Sequence, residues 1–266
     1  MALKPMPDNN MPYSIILGTR VNMVQINAVL NCMEGWIKNG DKGRFVVVSN
    51  LHAIMEGRRR PEFQKLLNTA DLFVPDGVST LFIGRQRGFQ LKERVTGTEL
   101  MTSFCSLSNQ KHYSSYFYGD TDEVLNTMKS KLNATYPGME ISGAYSPPFR
   151  PLTQEEDEAV VKMINEAKPD VLWVGLGCPK QEQWVYDHKD RLDVPIIIGV
   201  GAAFKFLSGH VQRAPKWARN FHLEWLWRLM QEPKRIWRRV LVDGSAYFYL
   251  TFFETLRLKK SNQQAL

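Results

Sequence analysis

Short runs of β-branched and aromatic residues alternate with longer amphipathic segments along most of the chain, and this alternation constrains the fold more than any other feature. Strands that alternate with helices build βαβ units, in which helices cover both faces of a parallel sheet. Strands buried on both faces read as continuous apolar runs, as Phe45-Val46-Val47-Val48 does. The pattern therefore predicts an α/β fold with a largely parallel sheet.

The periodicity also predicts where the elements lie and how the chain is divided. Strands are expected at 14–17, 45–49, 72–74, 116–118, 139–142, 171–174 and 195–200, and helices at 24–38, 53–68, 97–108, 122–132, 154–167 and 181–190. Prolines at 147, 148 and 151 are taken as a break between two halves. From residue 213 onward the strand signals vanish, and the pattern indicates helices interrupted at Pro233 and near Gly244. We therefore expect a catalytic body at 1–212, a C-terminal appendage at 213–260 and a disordered tail at 261–266.

The appendage carries the whole net charge of +7. It holds eleven of the 34 lysines and arginines, four of the 27 acidic residues and four of the seven tryptophans. A neutral body with a basic, aromatic appendage indicates a polyanionic partner, namely anionic lipid, nucleic acid or a phosphorylated substrate. A solvated helix face over a tryptophan core is the structural alternative.

Cysteines and apolar segments bear on the compartment. Three widely spaced cysteines without a CxxC pair indicate neither a disulfide framework nor a zinc site. The N-terminal residues lack the apolar region of a secretory signal, and no run approaches the roughly 18–20 apolar residues that a membrane span needs. We expect a cytoplasmic protein, either soluble or attached at the membrane surface.

Residues that directly follow the strands are candidates for ligand contact, because ligands of open α/β sheets bind outside the carboxyl ends of the strands. Asp76 follows the third strand, and Gly77 allows a ligand to approach closely. An N-cap or turn is the alternative role for Asp76.

Two glycine-containing loops follow later strands. In Gly175-Leu176-Gly177-Cys178-Pro179-Lys180-Gln181, glycines precede Lys180 and Gln181 at a helix N-terminus. This arrangement suits a phosphate or sugar site, and it equally suits a tight turn. Gly199-Val200-Gly201 ends the last strand in a similar way.

Asp120 and Asp122 offer a possible metal site directly after a strand, since paired carboxylates bind divalent cations. A capping box made by Asp120 and Glu123 is the favoured alternative. The histidines show no metal-ligand spacing. The sequence has no GxGxxG fingerprint and no obvious ribose-binding acid after the first strand, which disfavours a Rossmann oxidoreductase. It also has no P-loop and no GxSxG elbow.

Taken together and in order, the motifs resemble the WecG/TagA/CpsF family, glycosyltransferase family 26. The matching pieces are Asn50, Ala70-Asp71-Leu72, Asp76-Gly77, Glu93-Arg94-Val95-Thr96-Gly97, Gly175-x-Gly177-x-Pro179-Lys180-Gln181-Glu182-x-Trp184, Gly199-Val200-Gly201-Ala202-Ala203-Phe204, Arg213-Ala214-Pro215, Leu223-Glu224-Trp225-Leu226-x-Arg228-Leu229, Glu232-Pro233 and Arg235-x-x-Arg238. The resemblance spans nearly the whole chain. It implies two Rossmann-like halves around one sheet, with an appendage that completes the site at the membrane.

The resemblance further implies transfer of a sugar from a UDP-sugar to a polyprenyl-diphosphate-linked sugar, with inversion and with neither metal nor cofactor, in cell-wall or exopolysaccharide synthesis. Asp76 corresponds to the general base. The donor site would include Asn50, Gly77, Gly177, Lys180, Gln181 and Gly201. The appendage residues Arg228, Arg235 and Arg238 would bind diphosphate and, without a metal, offset the charge of the leaving group.

One position departs from the family pattern, since a threonine commonly stands two residues before the asparagine and here the residue is Val48. The chain lacks that hydroxyl, so the identity of the donor sugar is open. The expected location is the inner face of the plasma membrane, held at anionic lipid, and a displaced appendage would expose apolar surface suited to self-association into a homo-oligomer. The competing hypothesis is a nucleic-acid-binding protein that uses the basic appendage.

Overall fold

The structure is a computed structural model that describes residues 11–215, 217–218, 223–231 and 233–264. Its strands are β1 (Tyr13–Ile16), β2 (Thr19–Asn22), β3 (Arg44–Ser49), β4 (Leu72–Pro75), β5 (Ser114–Gly119), β6 (Glu140–Tyr145), β7 (Val171–Gly175) and β8 (Ile196–Gly199). Six of them form one sheet in the order β4-β3-β8-β7-β5-β6, and every neighbouring pair is parallel. The predicted α/β fold with a parallel sheet is confirmed.

The first predicted strand lies outside this sheet. β1 pairs antiparallel with β2, which the sequence pattern did not reveal. Leu17 and Gly18 connect them with φ of 48° and 84°, the two positive φ angles that the tightest hairpin turns need. The N-terminal residues 13–22 therefore form a separate hairpin.

The helices of the body are α1 (Ile26–Asn39), α2 (Leu51–Arg59), α3 (Pro61–Leu67), α4 (Val78–Gln86), α5 (Gly97–Lys111), α6 (Asp122–Thr135), α7 (Gln154–Ala167), α8 (Lys180–His188) and α9 (Ala203–Ser208). The single helix predicted at 53–68 is wrong, because the chain breaks between α2 and α3. Arg60 is extended there (φ −130°, ψ 94°), as a residue before proline prefers, and Pro61 starts the next helix.

Two apolar clusters, one on each face of the sheet, form the core. Residues alternate between the faces along each strand, so Phe45 and Val47 pack with α2, α3, α4, α7 and α8, while Val46 and Val48 pack with α1, α5, α6 and α9. Each large apolar side chain buried in this way stabilises the fold by roughly 1.5–3 kcal/mol. The prolines at 147, 148 and 151, which were expected to separate two halves of the chain, lie between β6 and α7. The chain passes from β4 at one edge of the sheet to β5 near the other edge earlier, through α4 and α5.

The C-terminal part is helical, as predicted, with α10 (Glu224–Gln231), α11 (Pro233–Trp237), a π-helical stretch (Arg238–Asp243) and α12 (Gly244–Gln264). The breaks fall at Pro233 and next to Gly244. α12 continues into the segment expected to be a disordered tail, and residues 265–266 lie outside the described part of the chain. Among the described residues, no helix combines the length and the apolar character that crossing a bilayer requires.

Ion pairs and one tyrosine hold this C-terminal part on the body. Asp243 is buried and contacts Arg59 and, at 3.3 Å, His52 Nδ1. Farther along, Glu254 pairs with Arg87 at 2.6 Å, and Tyr247 between them is fully buried in the cluster on the α2 face. The appendage is therefore packed against α2 and α4 at this end.

Candidate active site

The sheet creates a crevice where successive helices leave it in opposite directions. α2 follows β3 and packs on one face, whereas α9 follows the neighbouring strand β8 and packs on the other. Loops that diverge from adjacent parallel strands leave an open groove at their carboxyl ends, the usual ligand position of such sheets. The sequence-predicted residues at the strand ends border this groove.

Asn50 and Asp76 come together at the ends of β3 and β4. Ser49 is paired with Pro75 in the parallel ladder, so Asn50 and Asp76 follow at the same level on neighbouring strands. Asp76 is half-buried. The N-cap residue of α4 is Gly77 rather than Asp76, so the N-cap alternative for the aspartate is wrong.

Gly77 fills the narrow space between these two residues and the first turn of α4. A Cβ at this position would lie 3.1 Å from Asn50 Cβ and 3.2 Å from Ser79 Oγ. Asn50 in turn caps α2, with its Oδ1 accepting a hydrogen bond from the backbone N–H of His52 at 3.0 Å. A side chain at 77 would therefore crowd Asn50 and Ser79, and the Asn50 side chain is held in place by the helix that it caps.

The two glycine loops meet through one side chain. Gln181 Oε1 accepts hydrogen bonds from the backbone N–H of Gly177 at 3.1 Å and of Gly201 at 2.9 Å. Both glycines have positive φ, 78° and 57° respectively, a conformation that favours glycine. The structure therefore brings together Gly177, Gln181 and Gly201, as predicted for one site, but Gln181 makes these contacts within the protein.

Close backbone approach draws the neighbouring strand ends together. A Cβ on Gly119 would lie 2.7 Å from the carbonyl carbon of Gly175, and a Cβ on Gly199 would lie 2.8 Å from Gln181 Nε2. Contacts this short have no room for a side chain. The ends of β5 and β7 are thus in direct backbone contact, the Gln181 amide lies against the end of β8, and Lys180 is exposed at the start of α8.

Glu182 is a buried carboxyl group that the sequence pattern did not single out. It is 0% exposed, and its Oε1 accepts a hydrogen bond from Gln181 Nε2 at 3.0 Å. Burial raises the pKa of Glu182 above its ordinary value, although the hydrogen bond from Gln181 acts in the opposite direction. In the sequence it was one of the matching positions of the family motif, directly after Gln181, but no role was predicted for it.

Asp120 is not a helix cap. Thr121 caps α6 by accepting a hydrogen bond from the Val124 N–H, so the predicted capping box of Asp120 and Glu123 is wrong. Asp120 has positive φ and lies 3.9 Å from Lys205 Nζ. Within the described ranges, no group of three or more histidine, cysteine, aspartate or glutamate side chains could hold a metal ion.

The three arginines predicted to bind diphosphate lie along the appendage. Arg228 is in α10 and Arg235 in α11, and the side chains of both lie outside the described part of the structure. Arg238 is exposed, with its guanidinium 5.4 Å from the ring centre of Trp237. Val48, where the family pattern favours threonine, is buried in the core on the α1 face, and the Ser49 side chain lies outside the described residues.

Two ion pairs that the sequence did not predict join the start of the appendage to the α5 side of the groove. Arg94 pairs with Glu224 of α10, and Arg213 pairs with Glu99 of α5 at 2.7 Å. Burial opposes ionisation of Glu99, yet the Arg213 guanidinium and the Thr96 hydroxyl keep its pKa below the ordinary value. Arg94, Thr96 and Arg213 all lay within motifs noted in the sequence, but spacing alone did not indicate their partners.

Comparisons with known proteins agree with the resemblance found in the sequence. The family model described as "Glycosyl transferase WecG/TagA/CpsF family" matches residues 14–261. Over 217 aligned residues, the chain is 30% identical to the N-acetylglucosaminyldiphosphoundecaprenol N-acetyl-beta-D-mannosaminyltransferase of Bacillus spizizenii. The aligned region covers 82% of each protein. The chain is also 30% identical over 217 residues to the protein of the same name from Staphylococcus aureus strain MW2, covering 82% of this chain and 84% of the relative.

Proposed function

Because the chain belongs to the WecG/TagA/CpsF family of glycosyltransferases, we propose that it transfers a sugar from a UDP-sugar to a sugar linked to polyprenyl diphosphate. The observation that carries this proposal is the family match over residues 14–261, which includes the ends of the strands and the whole appendage at 213–260. The relatives' names specify an undecaprenol-diphosphate acceptor and a mannosaminyl group. Cell-wall or exopolysaccharide synthesis is the corresponding process.

Asp76 is the proposed general base. Its carboxylate would take the proton from the acceptor hydroxyl as that oxygen bonds to the anomeric carbon, while the bond from this carbon to the β-phosphate oxygen breaks and UDP leaves. The position of Asp76 beside Asn50 at the mouth of the groove supports this role. Such proton transfer typically contributes about 10²–10⁴-fold to the rate.

The donor would occupy the groove between Asn50 and the glycine loops. Gly177 and Gly201 have no Cβ atoms, and an added Cβ at either would meet no atom within 4 Å, so a nucleotide or sugar could lie directly against these loops. The exposed ammonium group of Lys180, at the N-terminus of α8, is placed to meet a phosphate. Gly77 and Asn50 would border the sugar.

The appendage would bind the lipid-linked substrate at the inner face of the membrane. Arg228, Arg235 and Arg238 would receive diphosphate groups, since guanidinium forks match phosphate oxygens. On α12 of the appendage, the exposed rings of Tyr249 and Phe252 both contact that of Phe253. Basic residues near an anionic surface contribute about 1 kcal/mol each, and exposed aromatic rings favour the headgroup region.

A substrate screen tests this proposal. The full-length protein is incubated with individual UDP-sugars, including UDP-N-acetylmannosamine, and with N-acetylglucosaminyl-diphosphoundecaprenol, and products are read by mass spectrometry. Addition of one sugar residue with release of UDP is the expected result. Absence of transfer from every UDP-sugar, with tight and salt-sensitive oligonucleotide binding, would instead support the nucleic-acid hypothesis.

A further inference from the structure

Gln181 and Glu182 form a buried pair that sets the position of both glycine loops. Gln181 is 2% exposed and Glu182 is 0% exposed, so neither side chain faces open solvent in the groove. We propose that Gln181 acts on the donor through the loops that it holds, and that Glu182 is a positioning residue that orients the Gln181 amide. This inference rests on the proposed function of the groove as the donor site.

The amide oxygen of Gln181 has no capacity left for a ligand. A carbonyl oxygen has two lone pairs, and Gln181 Oε1 already accepts from Gly177 N–H and Gly201 N–H. These two residues lie in loops after different strands, β7 and β8, so one oxygen atom fixes the distance between the two loops. The same contacts also occupy the two glycine N–H groups, leaving the loop surface, rather than these amides, to contact a donor.

Glu182 selects the orientation of this amide. A glutamine side chain presents an oxygen on one side and an NH₂ group on the other, and a half-turn exchanges them. Glu182 Oε1 accepts from Gln181 Nε2 at 3.0 Å, which places the amide oxygen toward the glycines. Gly199 supplies the space for the NH₂ group, since a Cβ there would lie 2.8 Å from Gln181 Nε2.

Stability alone gives no reason for a carboxyl group at this position. A buried carboxyl group that is incompletely hydrogen-bonded is costly, and an apolar residue of similar size often stabilises a core. Besides Gln181, the side-chain partner of the Glu182 carboxyl group is the Cys178 thiol, which is only a weak donor. A buried carboxyl group that lowers the stability of the fold is expected at positions where it serves a functional site.

Three methionine substitutions in consecutive residues of α8 provide a matched test. Gln181→Met removes the acceptor for both glycine amides, and Glu182→Met removes the carboxyl group that accepts from Gln181, together with its contact to the Cys178 thiol. Gln183→Met is the control, because Gln183 is exposed and bonds to Asp187 within the same helix. Glu182→Gln is the conservative variant, since its side-chain oxygen can still accept from Gln181.

The first readout needs no substrate. In protein labelled with ¹⁵N-glycine, the amide exchange of Gly177 and Gly201 is measured by NMR, and we expect protection of both in the parent and in Gln183→Met. Both amides should exchange at least ~10-fold faster in Gln181→Met and in Glu182→Met, with protection restored in Glu182→Gln. Rapid exchange of the two amides in the parent would overturn the proposal even if a methionine variant failed to fold.

The second readout separates positioning from general damage. In Glu182→Met the KM for the UDP-sugar should rise about 10- to 100-fold while the KM for the lipid-linked acceptor stays within about twofold, and Glu182→Gln should restore the donor KM. Equal donor KM in Glu182→Met and the parent would contradict the proposal. If the parent transfers no sugar at all, the proposed function fails, whereas the exchange measurement still decides whether Glu182 orients Gln181.

Discussion

Replacing Glu254 with alanine should loosen α12 from the body. Glu254 Oε2 lies 2.6 Å from Arg87 Nη2, and Oε1 accepts a hydrogen bond from the Leu17 N–H at 3.0 Å. The Arg87 side chain is only 9% exposed, while that of Glu254 is 26% exposed. The substitution would leave a nearly buried guanidinium without its carboxylate and a backbone N–H without its acceptor.

The size of the effect follows from this geometry. Breaking a fully buried ion pair by removing one partner costs about 3–5 kcal/mol, and solvent access to Glu254 reduces that figure. We therefore expect the free energy of unfolding to fall by about 2–3 kcal/mol. Glu254→Gln, which removes the charge and keeps one acceptor oxygen, should cost about 1 kcal/mol.

Urea unfolding of Glu254→Ala, Arg87→Met and the double variant measures the pair itself. Arg87 also donates to Ser14 Oγ at 2.8 Å, so Arg87→Met alone includes other losses that the double-mutant cycle removes. In Glu254→Ala, the α12 amides should exchange faster with solvent through local opening of the helix, without global unfolding of the protein. Strictly additive losses, with unchanged exchange in α12, would refute the interpretation of this contact.

Three further predictions concern the body. Because burial raises the folded-state pKa of Glu182, the free energy of unfolding of the parent should fall as the pH rises above the ordinary value of 4.5. The loss is ~1.4 kcal/mol for each pH unit over which Glu182 is protonated in the folded state only. Glu182→Gln should not show this loss, so urea unfolding at pH 5 and pH 7 should show a difference between the two proteins that changes with pH. Gly119→Ala should lower the free energy of unfolding by about 2 kcal/mol or more, because φ at this position is 125° and the added Cβ would lie 2.7 Å from the Gly175 carbonyl carbon. Urea unfolding measures this loss. An unchanged urea midpoint would contradict the close approach of β5 and β7. Transfer activity should be unchanged by EDTA, and a strict requirement for Mg²⁺ or Mn²⁺ would instead favour a metal site at Asp120 and Asp122.

The strands β3, β4, β7 and β8 could be predicted because their side chains are mostly apolar on both faces of the sheet, whereas the edge strand β6 is only partly buried. β2 escaped notice because Thr19-Arg20-Val21-Asn22 is mostly polar and gains its pairing from the hairpin turn. α4 was missed for the opposite reason, since it is buried on most sides and has little amphipathic period. Pro61 indicates a helix break in the sequence, but the apolar periodicity on both sides of it led to the prediction of one continuous helix at 53–68.

The site was predictable as far as the ends of parallel strands must meet at one edge of a sheet. That rule brings the residues that follow the strands, among them Asp76 and the two glycine loops, to one edge of the sheet; the structure then shows Asn50 beside Asp76 and the two loops joined by Gln181. It could not show that the amide oxygen of Gln181 accepts hydrogen bonds from Gly177 and Gly201, because these contacts depend on how α8 packs against the end of β8. The partners of Glu182 and Arg94 are hidden from sequence for the same reason, and the division of the chain at residue 212 stays a prediction.

The turnover number of Asp76→Asn, with UDP affinity measured on the same preparation, tests the central claim most directly. Asparagine keeps the size of the side chain but cannot take a proton from the acceptor. We predict that kcat falls by about 10²–10⁴-fold while the Kd for UDP stays within about twofold. A kcat within about tenfold of the parent would contradict the assignment of Asp76 as the base.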